Sequence, residues 1–111
     1  MAPPVWYHVR SLEEGRRFYQ NVLGFEELAV DFDARWSELR RGEMEIGLAE
    51  GEPTDEGVAH VDVTDLKDEA DRLREAGVEV GIVLELTGEM RLLDVYDPDG
   101  NRIQLAQELG D

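Results

Sequence analysis

Two stretches of the chain alternate apolar and polar residues, and each is followed by an apolar stripe at helical spacing. Side chains on a strand switch faces at every residue. In Val5-Trp6-Tyr7-His8-Val9 one side therefore collects Val5, Tyr7 and Val9, and the other Trp6, His8 and Arg10. In the second stretch Ala59, Val61 and Val63 share one side, opposite Val58, His60 and Asp62. After the first strand, Leu12, Gly15, Phe18, Tyr19 and Val22 fall on one helical face, with Glu13, Glu14, Arg16, Arg17 and Gln20 mostly opposite. Ser11 suits the N-cap, Glu14 completes a capping box, and Gly24 suits the left-handed end. A second helix is predicted after Asp65, burying Leu66, Ala70 and Leu73 and stopping at Gly77.

Each helix is followed by three strand candidates: 25–33, 36–40 and 43–50 after the first, 78–86, 91–96 and 102–107 after the second. Turns separate them at Asp33-Ala34-Arg35, Arg41-Gly42, Thr87-Gly88-Glu89 and Asp97-Pro98-Asp99-Gly100-Asn101, the last joining Pro with Gly and Asn, which accept positive φ. The polar stretch 51–57 reads as a linker. The pattern is β-α-β-β-β twice, an α+β chain with module one at about 4–50 and module two at about 58–108. At 111 residues the two modules must share one core, so 1–111 reads as a single domain. His8 lies 16 residues before Gly24 and His60 lies 17 before Gly77, which sets the two histidines at equivalent points of an internal repeat.

Charge narrows the partners. With 27 acidic against 11 basic residues the net charge is -16, and such a field repels the phosphates of nucleic acid and of anionic membranes. It attracts cations, or simply solvates the surface. Cysteine is absent, which leaves His, Asp, Glu and Tyr to carry chemistry. No apolar run approaches the roughly 20 residues a membrane helix needs. The start lacks the basic and apolar regions of a signal peptide, so a soluble cytoplasmic protein is expected.

Alternation in the last strand of each module adds oxygen donors to the two imidazoles. Met44, Ile46 and Leu48 face the helix, leaving Glu45 on the side of His8; Ile103 and Leu105 do the same, leaving Gln104 on the side of His60. Two nitrogens and two oxygens, His8, Glu45, His60 and Gln104, suit a divalent ion such as Zn, Ni, Co, Mn or Fe, with positions open for water or substrate. Trp6, Trp36 and Tyr96 are candidate pocket walls, with ordinary packing as the alternative.

The segments Phe18-Tyr19-Gln20-Asn21-Val22-Leu23-Gly24-Phe25-Glu26 and Asp97-Pro98-Asp99-Gly100-Asn101-Arg102-Ile103-Gln104-Leu105 resemble the two signature stretches of the vicinal oxygen chelate superfamily. That superfamily includes glyoxalase I, extradiol dioxygenases, fosfomycin-resistance proteins and bleomycin-binding proteins. The resemblance spans essentially the whole chain. It implies a glyoxalase-like fold of two paired βαβββ modules, a half-open curved mixed sheet enclosing the site, and a homodimer. It also implies metal ligands at positions matching His8, Glu45, His60 and Gln104, although Gln104 stands where a Glu is usual and cannot take a proton from carbon.

Two functions follow from this resemblance. One is a metal-dependent lyase or isomerase acting on a small molecule with vicinal oxygens, in which the ion stabilises an enediolate, Glu45 ligates or acts as base, and Gln104 ligates or orients water. The alternative is a metal-free protein that sequesters a cationic or aromatic compound, with Trp6 and Trp36 supplying stacking.

Overall fold

A computed structural model describes residues 3–54 and 57–109. Ten elements follow the expected order: β1 (Val5–Val9), α1 (Leu12–Arg17), β2 (Glu26–Asp31), β3 (Trp36–Arg41), β4 (Met44–Glu50), β5 (Ala59–Asp62), α2 (Leu66–Glu75), β6 (Leu84–Leu86), β7 (Met90–Tyr96) and β8 (Arg102–Glu108). Both helices start at the expected caps, Ser11 accepting from the Glu14 amide and Asp65 from the Asp68 amide. Gly24 and Gly77 take the positive φ that closes each helix.

Two elements differ from the sequence pattern. The first helix passes at Phe18–Val22 into a π-helical turn in which the Leu23 amide reaches the Phe18 carbonyl at 3.1 Å. The strand expected over 78–86 shortens to Leu84–Leu86, because beyond the isolated Val80 to Val95 bridge and the Gly81 amide's bond to the Asp94 carbonyl the chain leaves the ladder at Ile82, which is 75% exposed. A glycine and an unburied isoleucine give that segment little to pack.

The strands form two mixed four-stranded sheets, ordered β1-β4-β3-β2 and β5-β8-β7-β6. β1 runs parallel to β4 and β5 parallel to β8, and the remaining pairs are antiparallel. Tyr7, Val9, Leu39, Ile46 and Leu48 are buried on the helix side of the first sheet, and Ala59, Val61, Leu93, Val95, Ile103 and Leu105 on that of the second. Leu12 and Tyr19 from the first helix and Leu66, Ala70 and Leu73 from the second complete one core continuous across both modules. No helix among the described residues is long and apolar enough to cross a membrane.

Polar side chains stitch the seam between the sheets. The Tyr7 hydroxyl accepts from the Ala59 amide at 2.7 Å and donates to the Arg102 carbonyl at 2.6 Å. The buried carboxylate of Asp97 accepts from the Tyr19 hydroxyl, from the Asn101 amide and side chain, and from the Asp99 amide. Asn101 also donates to the His8 carbonyl at 2.8 Å. The Asp97–Asn101 turn is therefore a clasp that fixes the start of β8 to β1 and the first helix. Burial pushes the Tyr7 phenol up to about 12, and burial beside Asp97 pushes Tyr19 well above the usual phenol range.

Candidate functional site

The strand register decides which residues of the two modules correspond. Directly after each cap, the Leu12 amide donates to the Glu50 carboxylate at 3.0 Å, and the Leu66 amide to the Gln107 side chain at 3.0 Å. Counting six residues back from those leucines reaches Trp6 and His60, and three back from Glu50 and Gln107 reaches Gly47 and Gln104. The ladders agree, since Trp6 opposes Gly47 and His60 opposes Gln104 in the two parallel pairs. His60 thus corresponds to Trp6, Gln104 to Gly47, and His8 to Asp62.

The correspondence of His8 with His60 and of Glu45 with Gln104, expected from the sequence, is off by two residues on each strand. A shift of two preserves the face, so alternation gives no warning of it. For the histidines, one of the two residues is the difference between the 16- and 17-residue intervals to the glycines, and the other is the extra residue that the first helix holds between cap and glycine, which the π-helical turn absorbs.

His60 and Gln104 are brought together as directly opposed neighbours on β5 and β8. His8 and Glu45 are not. His8 opposes Ala49, four residues beyond Glu45 along β4, a separation of roughly 13 Å at the strand rise. Glu45 lies opposite Arg40 instead, and the His8 imidazole sits 3.5 Å from the Thr54 hydroxyl. Among the described residues, no group of three or more His, Asp and Glu side chains is arranged to hold a metal ion.

The donor set itself does not fit a divalent ion of the kind expected. At the position shared by both modules, the second offers one imidazole and one neutral amide, and the first offers an indole and a glycine, neither of which ligates. Three or four good donors are the usual requirement. A Cβ placed on Gly47 would overlap the six-membered ring of Trp6, so the indole already occupies the space of a side chain at 47.

What the first sheet does present is an aromatic face. Trp6 lies over buried Gly47, while His8 and Trp36 flank Ala49 from the two neighbouring strands. Glu38 stands across from Gly47, and Asp31 across from Trp36. On the second sheet the same face is polar: the Gln104 amide nitrogen donates to Asp94 at 3.3 Å, and Asp94 also meets Arg102 at 3.5 Å. Tyr96 opposes Arg102 and lines, with Asp99 and Asn101, a cleft of about 510 Å³ at the seam.

Gly47, Glu38 and Asp94 were not among the residues singled out from sequence. One pattern marks Gly47: Ile46-Gly47-Leu48 and Ile103-Gln104-Leu105 are the same apolar frame with a different central residue. Aligning those frames, and not the histidines, finds the true correspondence.

The family model of the glyoxalase/bleomycin resistance protein/dioxygenase superfamily matches residues 4–105. A virulence protein of Salmonella typhimurium strain LT2, STM3117, is 31% identical over 104 aligned residues, covering 82% of this chain and 72% of that protein. Among solved structures, integron cassette protein HFX_CASS4 from the mobile metagenome of the Halifax Harbour sewage outfall superposes with a TM-score of 0.83 at 23% identity, over 96% of this chain and 97% of that one. A superfamily member from Sphaerobacter thermophilus gives 0.79 at 22% identity, over 97% of both chains. These structural likenesses, below 25% identity, establish the fold.

Proposed function

The chain belongs to the glyoxalase/bleomycin resistance protein/dioxygenase superfamily, and we propose that it binds a flat, positively charged small molecule on the open face of its first sheet without a metal ion. One observation carries this reading. Trp6 lies over Gly47 and, with His8 and Trp36 on either side of the small Ala49, makes a floor on which a ring can stack. Carboxylates border that floor at Glu38 and Asp31, with Glu45 further along β4. A cation over an indole face gains about 0.5–2 kcal/mol, more as water is excluded. The net charge of -16 concentrates cations near the surface.

The metal-dependent lyase reading needs three or four donors at one point, and the register separates His8 from Glu45. No step through an ion is therefore assigned. Holding a compound, as opposed to transforming it, asks only for shape, stacking and charge, which this face supplies.

The proposal includes a second copy of the chain. Ile82, Leu84 and Leu86 on and beside β6 are 75%, 50% and 47% exposed, an apolar edge that a partner would cover. Calorimetric titration of the purified chain with N-methylquinolinium in a chelator-containing buffer tests the binding reading, and absence of saturable heat would end it.

A further inference from the structure

We propose that the cleft at the seam is a second binding site, one that takes a small organic monocarboxylate through Arg102 and Tyr96. These residues oppose each other on β8 and β7, so their side chains leave the sheet on one side with Cβ atoms about 5 Å apart. Both line the cleft of about 510 Å³, a size that receives small ligands. Among the described residues the Tyr96 hydroxyl has no hydrogen-bond partner, and the half-exposed Arg102 guanidinium has a single contact, from Nη1 to Asp94 at 3.5 Å. Most of its N–H groups are open to a ligand.

The donor chemistry of the pair selects the ligand. A guanidinium only donates and the phenol beside it can donate, so the complement is a planar acceptor carrying negative charge, which a carboxylate is. Neighbouring acids limit that charge to one. Asp94 stands on the same face, and a dianion would meet its field at close range. Asp99 in the cleft wall is already engaged by the Arg10 amide and side chain, each at 3.2 Å. The rings of Tyr7 and Pro53 give the organic part of the ligand an apolar wall.

The same arrangement accounts for a neutral residue at 104. Gln104 opposes Asp94 and donates to one of its oxygens at 3.3 Å, while the other oxygen meets Arg102. A carboxylate at 104 would set a second anion beside Asp94, on the face of Arg102 and two residues from it, where it competes with an incoming carboxylate.

Benzoate is the probe, so the test does not depend on the cation proposed for the first sheet, and benzamide is its uncharged control. Amide NMR titration should show saturable shifts at Gly100 and Asn101 with benzoate and none with benzamide. Arg102→Met should weaken benzoate roughly tenfold or more, the loss that follows from removing hydrogen bonds to a charged group. Tyr96→Phe and Gln104→Glu should each weaken it roughly 2- to 10-fold. The seam survives Arg102→Met, because the backbone carbonyl of residue 102 is what receives the Tyr7 hydroxyl. Absence of saturable shifts, benzamide binding as well as benzoate, or benzoate binding untouched by Arg102→Met would overturn the proposal. If Arg102→Met melts below its parent, the other two variants decide, and benzoate affinity unchanged in both would overturn it equally.

Discussion

The Tyr19 hydroxyl donates to the Asp97 carboxylate at 2.8 Å, across 78 residues of sequence and out of reach of solvent. Among the described residues no cationic side chain pairs with that carboxylate; it accepts from hydroxyl and amide donors of the Asp97–Asn101 turn and the first helix. Asp97 and Asn101 of the closing signature stretch therefore tie the seam between the modules. Asp97→Ala should lower stability by about 3 kcal/mol, since it orphans several buried donors at once. Tyr19→Phe should cost about 1 kcal/mol, because Asp97 keeps its other partners. Urea denaturation measures both, and an Asp97→Ala variant as stable as its parent would refute the clasp.

Alkaline pH should open the same seam. Burial raises the Tyr7 phenol to about 12 and Tyr19 also upward, whereas an unfolded tyrosine ionises near 10. A raised folded pKa contributes stability that is intact below the unfolded value and is lost as pH climbs through the folded one. Melting temperature should accordingly hold up to about pH 10 and fall steeply between about 10 and 12. Tyr7→Phe should remove part of that slope and lower stability at neutral pH, because the buried Ala59 amide loses its acceptor. A slope unchanged in Tyr7→Phe would place the alkaline sensitivity elsewhere.

Most of the fold was legible because its determinants are local. Ser11 and Asp65 as caps, Gly24 and Gly77 as helix ends, and period-two alternation in β1, β4 and β8 are readable without tertiary information. The two-residue slip at His8 and Glu45 was not, because alternation reports the face of a strand and not its register. Register follows from long-range bonds such as Leu12 to Glu50, and from a π-helical turn that shifts the helix-end glycine by one residue. The truncation of β6 was hidden for a similar reason: Val78–Leu86 has strand composition, and Val78, Val80 and Val83 pack on the core, but only Leu84–Leu86 pairs as a strand.

Gly47 should tolerate no side chain while Trp6 is in place. Gly47→Ala pushes a methyl group into the indole, and overpacking of this kind costs about 1–3 kcal/mol. Near-ultraviolet circular dichroism should change with it, since the Trp6 ring must move. A Gly47→Ala protein with unaltered melting and an unaltered tryptophan spectrum would contradict the packing described.

The exposed edge of β6 predicts self-association. Sedimentation at low micromolar concentration should show a species of twice the 12.6 kDa chain mass, and Leu84→Glu with Leu86→Glu should return it to monomer by placing charge on the apolar edge. Monomer throughout the concentration range would remove the second copy from the proposal.

The most direct test is competitive: calorimetric titration with N-methylquinolinium, neutral quinoline and a naphthalene sulfonate, each with and without chelator. The cation should bind with the highest affinity, the anion least, and chelator should make no difference. Trp6→Ala should weaken the cation by on the order of tenfold, the equivalent of about 1.4 kcal/mol of stacking and cation–π attraction. Binding that disappears with chelator and returns with added Ni²⁺ or Zn²⁺, or that is indifferent to Trp6, would contradict a metal-free aromatic site.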